Sequence, residues 1–385
     1  MAKKSGKQII IYVLTIVFSI AFILVGNVLC HPPIFDEGGE EYYRAKVISA
    51  ESAAEKSYYL DDGTTEVSAK NVIFRAKILS GPYKGDEADC LQTIDSMYAM
   101  SLREVKKGDS VLISRPQYEV SEDVGWIFIE FNRIGSIIVL VAVFLALIAI
   151  IGRKKGFSTI LSLIFTVLSI FLVYVPAILK GYNIYLMSVI ICVFSVFTSL
   201  ILIGGWNRKT VCAIIGNLIG VAVAGVLTAV MNNIFGMTGL VDENYIMLTQ
   251  LDTPIDLKAV IWGGVVVGAM GAVMDVAMSI ASAMNELSET MRDKSLFNML
   301  RSGMNIGRDA IGTMTNTLIL AYIGGALATV LLLVAYNKNM LYLFNMEMIL
   351  ADILSSVVGS IGILAAVPAT AFISAYIYNR PEKKR

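Results

Sequence analysis

One histidine, four cysteines and 16% charged residues are all that this 385-residue chain offers to polar chemistry. His31 is the single imidazole and follows the first apolar run, so no histidine-based zinc site and no serine–histidine dyad can form inside the later apolar segments. The acids fall at no metal-ligand spacing, and no Gly-x-x-x-x-Gly-Lys-Ser/Thr phosphate loop occurs. Lysine plus arginine (31) balance aspartate plus glutamate (31), which argues against a nucleic-acid partner. No cofactor and no metal are implied, and the chain does not read as an enzyme. Cys192 and Cys212 fall in apolar runs. Cys30 and Cys90 fall outside those runs, and whether they pair stays open at this point, since Cys30 at the end of an apolar run makes the geometry awkward.

What the chain has in excess is apolar length. Hydrophobic residues make up 56% and mean hydropathy is +0.70, the composition of a polytopic membrane protein. Runs long enough to cross a hydrocarbon core of about 30 Å occur at 9–29, 134–151, 157–178, 184–203, 210–232, 259–282, 311–335 and 348–378. Eight helices are predicted. Basic residues cluster in every second connection: Lys3, Lys4 and Lys7; Arg153, Lys154 and Lys155; Arg208 and Lys209; Arg292, Lys294, Arg301 and Arg308; and Arg380, Lys383, Lys384 and Arg385. The expected location is therefore the cytoplasmic membrane, with the lipid bilayer as solvent, both termini cytoplasmic and residues 31–130 extracytoplasmic.

Three domains follow: an uncleaved N-terminal transmembrane anchor at 1–30, an extracytoplasmic β domain at 31–130 and a seven-helix transmembrane domain at 131–385. In the middle one, strand-like runs stand at 42–48, 71–79 and 109–114. Val72, Phe74, Ala76 and Ile78 alternate with Arg75 and Lys77, the period of a half-buried strand. Turn residues separate the runs at Asp61-Asp-Gly63, Gly81-Pro-Tyr-Lys-Gly85 and Lys107-Gly-Asp109. About 100 residues suffice for a small OB-like β-barrel.

Asp275 is the leading functional candidate. It stands in the middle of an apolar run, where a carboxylate costs roughly 2.5–3.5 kcal/mol on insertion scales and is normally matched by a polar partner or a water path. Desolvation favours its protonated form. Asp275, Ser279, Ser282 and Glu286 follow i, i+4, i+7, i+11, one helix face leading toward the cytoplasmic end. Residues 285–305 read as an amphipathic interfacial helix with Leu296, Met299 and Leu300 on its apolar side. The next helix opens with Arg308, Asp309, Thr313, Thr315 and Asn316, and in an antiparallel pair residues 313–316 reach the depth of Asp275. Two readings of this system stand side by side. In one, Asp275 takes up and releases a proton or binds a cation during transport; in the other it is a protonated group hydrogen-bonded to Asn316 and the serines serve helix packing. Pro368 marks a kink in the last helix, Asp352 reads as a boundary residue, and Asn217 as a bridge between helices.

The segments Gly268-Ala-Met-Gly-Ala-Val-Met-Asp-Val-Ala-Met-Ser-Ile-Ala-Ser-Ala283, Gly307-Arg-Asp-Ala-Ile-Gly-Thr-Met-Thr-Asn-Thr-Leu-Ile-Leu-Ala-Tyr-Ile-Gly-Gly325, Val358-Gly-Ser-Ile-Gly362 and Pro368-Ala-Thr370 resemble the YibE/F family of multipass membrane proteins. That resemblance implies a class of protein and no activity. The order of the last three helices is similar, more distantly, to the closing helices of SecD/SecF-type proton-driven permeases, in which an intramembrane acid is implicated in proton use. The likeness assigns that role to Asp275, with Arg308, Thr313, Thr315 and Asn316 as neighbours. The expectation is a transporter or an export accessory coupled to the proton-motive force, acting on an unknown solute or exported substrate, alone, as a homo-oligomer or with a companion membrane subunit. The rival expectation is a non-transporting scaffold or sensor whose β domain meets a cell-envelope partner.

Overall fold

The computed structural model describes residues 6–31, 41–52, 56–59, 66–95, 103–116, 124–291, 295–336 and 339–379. The turn at Asp61-Asp-Gly63 and the basic residues Lys3, Lys4, Arg292, Lys294, Arg380, Lys383, Lys384 and Arg385 lie outside them. Two compact units are present: residues 36–147, and residues 1–35 together with 148–385.

The smaller unit is built on six strands, β1 (Tyr42–Ser52), β2 (Lys56–Tyr59), β3 (Glu66–Ile78), β4 (Glu87–Asp95), β5 (Ser110–Ser114) and β6 (Trp126–Phe131). The sheet order is β1-β5-β6-β4-β3-β2, and an additional β1–β3 pairing closes five of the strands into a barrel with β2 on its edge. All pairings are antiparallel except β4–β6. Counting only the closed strands, the ring runs first, second, third, fifth, fourth, with the third and fifth parallel, an OB-like strand order. The alternation expected in β3 is present: Val72, Phe74, Ala76 and Ile78 are buried and Arg75 and Lys77 exposed. Phe74, Ala76 and Ile78 join Tyr43, Ala45, Val47, Cys90, Val111 and Ile113 in one core. A turn with Gly81 at φ 76° returns β3 to β4. Any side chain on Gly81 would run into the ring of Tyr43, so both its backbone and its bareness are required. Gln92, fully buried, donates to the Arg103 carbonyl (2.8 Å) and accepts from the Val105 N–H (2.9 Å), tying β4 to the segment that precedes β5. Cys30 and Cys90 are both buried and free.

The larger unit is helical, and the first part of the helix at Ile134–Ser169, up to Leu147, belongs to the smaller one. Helix α1 (Gly6–Cys30) is followed, after the barrel, by α2 (Ile134–Ser169), a π-helical stretch at Ile170–Tyr174, α3 (Val175–Leu179), α4 (Ile184–Gly204), α5 (Arg208–Ile234), α6 (Glu243–Leu248), α7 (Leu257–Thr290), α8 (Leu296–Gly325), α9 (Leu327–Tyr336), α10 (Met340–Leu343) and α11 (Glu347–Asn379). Among the described residues six segments are long and apolar enough to cross a membrane, and the pair α8–α9, bent by 59°, counts as a seventh. The 46-residue segment Ile134–Leu179 is twice the required length and is not one rod. Arg153 has φ 49° and ψ −127°, and Gly156 comes back against the carbonyl of Ile148. Eight residues apart in a straight helix would be about 12 Å. The chain therefore turns at Arg153, and the number of apolar helical segments rises to eight.

Two sequence expectations change. Residues 285–305 do not form a separate interfacial helix: α7 runs on through Thr290, and α8 starts at Leu296 and continues without interruption into its apolar part. Leu296, Met299 and Leu300 pack on the helical core instead of lying on a membrane surface. The run at 311–335 is likewise broken at Gly325–Ala326 into α8 and α9.

Helices α5, α7, α8 and α11 form the heart of this unit, and small residues set their spacing. A side chain on Gly216 would collide with Thr370, and one on Gly220 would stand 2.7 Å from the Gly362 carbonyl. Buried hydrogen bonds cross the same helices. The Asn217 amide donates to Met270 O (3.2 Å) and the Trp262 indole to Gly225 O (2.7 Å). Asn217 is thus the bridge its sequence context indicates. Helix α1 is held by hydroxyls: Tyr12 meets Ser158 (3.2 Å) and Ser19 meets Thr198 (3.3 Å). Ser162 donates to Ser199 at 2.7 Å in the same region.

Candidate functional site

Helix α7 has two unlike sides. Val273, Val276, Ala277, Ile280 and Met284 are buried against the core. The opposite side carries Gly264, Gly268, Gly271, Asp275, Ser279 and Glu286, all exposed, with Ser282 half-buried beside them. Their spacing of three and four residues makes one continuous stripe. Nothing approaches within 4 Å of the positions a side chain would take on Gly264 or Gly271. The four residues expected on one face do share it, and that face is the open side of the helix, not the interior of the bundle. Among the described residues Asp275 has no hydrogen-bond or ion-pair partner.

Helix α8 runs antiparallel alongside. Gly303 packs on Met284, Gly307 on Ile280 and, at the far end, Tyr322 on Gly268. One heptad back from Tyr322 is Thr315, and another is Arg308; one heptad on from Gly268 is Asp275, and another is Ser282. The contact register of the two helices therefore puts Thr315 at the level of Asp275 and Arg308 at the level of Ser282. The Thr315 hydroxyl is shielded from solvent and has no hydrogen-bond partner. Asn316 is nine residues, two and a half turns, past the inward-facing Gly307, so it points away from the α7–α8 seam and is exposed. Asp309 and Thr313 are exposed as well, Thr313 donating to Ala310 O (3.1 Å) and Arg308 to Asn305 Oδ1 (3.3 Å). Thr315 is the expected partner that the helix pairing brings closest; Asn316 is not.

At the Gly264 end the stripe opens into a cavity of about 410 Å³. Its wall is made by α6, α7, the α8–α9 bend and the start of α11, and includes Asp242, Tyr245, Gly264, Tyr322, Thr329, Asp352 and Ser355. Asp242 caps α6, accepting from the N–H groups of Asn244 (2.8 Å) and Tyr245 (3.1 Å). Burial first, and then the carboxylates of Asp242 and Asp352, push the Tyr245 phenol above its ordinary pKa and keep it a donor. Asp352 is half-buried and has no partner among the described residues. Read from sequence it was only a boundary residue, because nothing near it in the chain signals Tyr245 or Tyr322. Among the described residues no group of three or more acids, cysteines or histidines is arranged to hold a metal ion.

The long motifs that run through α7, α8 and α11 also carry the family relationship. A family model described as YibE/F-like protein matches residues 140–380, well over half of the chain. The chain belongs to the YibE/F-like family. No curated protein and no solved structure matches it. In this YibE/F-like protein the matched region holds both Asp275 and Asp352, whereas the barrel precedes it. These comparisons do not extend to SecD/SecF-type permeases.

Proposed function

We propose that this YibE/F-like protein is a cytoplasmic-membrane transporter or energy-coupled export accessory in which Asp275 is the group that takes up and releases a proton or a cation. One observation carries the reading. Among the described residues no large hydrophobic side chain is exposed between Met247 and Phe297, and none between Phe297 and Leu320, although α7 and α8 both have open sides. By contrast α1 exposes Ile9, Ile10, Val13, Leu14, Val17, Phe18, Leu24 and Val25, the surface acyl chains demand. A face of Gly, Ser and Thr with the Asp275 carboxylate in its middle is poorly matched to lipid. It is well matched to water, to a moving polar solute or to a second membrane subunit that completes a path.

In this reading both termini are cytoplasmic, the OB-like barrel is extracytoplasmic, and Glu286 marks the inner end of the stripe. The cavity around Asp352 is then its outer end, and Asp275 lies between them. A carboxyl that is neutral when the face is closed and charged when it meets water links proton movement to opening, since each charge crossing the field is worth about 2.3 kcal/mol per 100 mV. Thr315, with its unused hydroxyl, is the neighbour that solvates the neutral form.

The test is proton flux in liposomes containing the purified protein, with an imposed pH gradient and an internal pH dye. Asp275→Asn should abolish protein-dependent flux while leaving the melting temperature in detergent within a few degrees of the parent. Flux that survives in that variant sinks the reading, and the scaffold or sensor alternative, with the barrel as the working part, takes its place.

A further inference from the structure

We propose that the 410 Å³ cavity beside the α8–α9 bend binds a small organic cation, with the Asp352 carboxylate as its counter-ion; the proposal deepens the transport reading by naming the class of solute and rests on it for the idea that the cavity opens to one side of the membrane. The volume falls within the range of small-molecule sites. Two carboxylates, Asp242 and Asp352, line it, and no described lining residue is a lysine, arginine or histidine. An anion is disfavoured by that balance.

The two acids are not equivalent. Asp242 is held by two backbone N–H groups at the start of α6, so its charge is fixed in place and partly answered. Asp352 projects from the second turn of α11 with no answering group. A half-buried carboxylate is stable in such surroundings when a cation pairs with it. Tyr245 and Tyr322 add aromatic rings to the same wall, and ammonium groups are attracted to the faces of such rings. The Ser355 hydroxyl donates to Ala351 O (2.8 Å), which leaves the lone pairs of its oxygen to stabilise a positive charge electrostatically. A hard metal ion would ask for six or more oxygens around one point; here the remaining wall is Val241, Ile261, Val265 and Met348, surface suited to the carbon skeleton of an amine.

Tetraethylammonium titrated into the full-length protein in detergent, followed by calorimetry and by the shift in melting temperature, tests this, with sodium, calcium and acetate as controls. Saturable binding of tetraethylammonium is expected, weakened about tenfold or more in Asp352→Asn and less in Asp242→Asn, whose amide still caps α6. Each variant's own melting temperature without ligand reports whether it folds. Absence of binding to the parent protein, equal binding by Asp352→Asn, or tighter binding of calcium than of the ammonium ion would overturn the proposal. Asp275→Asn separates the two ideas: it should bind the cation as the parent does while losing proton flux. Normal flux in Asp275→Asn together with Asp352-dependent binding would leave the cation site standing and remove the coupling role.

Discussion

The hydroxyl of Tyr322 occupies the space that a side chain on Gly268 would need, 2.8 Å from where a Cβ would sit. That contact joins the cavity to the stripe on which Asp275 lies. Because the obstructing atom is the far end of a side chain, Gly268→Ala should leave the fold intact and displace the phenol. A cost of about 1 kcal/mol in ammonium affinity, roughly fivefold, is expected. Gly271→Ala, with open space around it, is the control and should bind as the parent does.

The α5–α11 seam should respond very differently to the same methyl group. At Gly216 the added carbon meets Thr370, and at Gly220 it meets the backbone of Gly362, neither of which can swing away. Each alanine substitution should destabilise the helical unit by about 1–3 kcal/mol. Gly264→Ala, on the open side, should be neutral or stabilising by up to about 1 kcal/mol, since alanine is the better helix former. Unfolding titrations in mixed micelles, read by tryptophan fluorescence, rank the three.

In the barrel, Gln92 satisfies the buried Val105 N–H and the partly buried Arg103 carbonyl at once. Gln92→Ala strands both and should cost roughly 2–4 kcal/mol. Limited proteolysis followed by mass spectrometry should find new cleavage near residues 103–108, with the helical unit untouched. Protection equal to that of the parent would show that the segment is held by other means.

Arg75 and Asp89, opposite each other on β3 and β4, form a two-pronged pair at 2.8 and 3.1 Å. The hydrogen bonds from Arg75 hold the Asp89 carboxyl below the ordinary carboxylate range against a smaller opposing effect of burial. The pair therefore stabilises the barrel above that range, and its contribution disappears as pH falls through the depressed value. Both side chains are about half exposed, so the contribution is small and shrinks with salt. Asp89→Asn should remove this part of the acid sensitivity, visible as a smaller change in barrel melting between neutral and strongly acidic buffer.

Much of the helical unit was readable because its signals are local. Long apolar runs and the i, i+4, i+7 placement of Asp275, Ser279 and Ser282 need no partner to be seen. The helix ends were not. Leu296, Met299 and Leu300 have the same spacing whether they lie on a membrane surface or on Met284 and its neighbours, and periodicity alone does not say which. The cavity was hidden for another reason. Asp242 and Asp352 stand 110 residues apart, and only the packing of α6, α8 and α11 makes a group of Asp242, Tyr245, Tyr322 and Asp352. Closure of the barrel likewise depends on β1 pairing with both β3 and β5, a relationship that alternation within a single strand does not encode.

Helix α1 is apolar almost all the way round, so greasiness by itself gives it no preferred azimuth. Tyr12 and Ser19 are seven residues apart, two full turns, and so point the same way. Their links to Ser158 and Thr198 act as the two teeth of a key. Rotating α1 by one residue, or sliding it by one turn, would pull both teeth out together, leaving Ser19 only its bond to Thr15 O (2.8 Å) within the helix. Helix α1 is thereby locked in angle and in height against Ser158 and Thr198 of the helical unit.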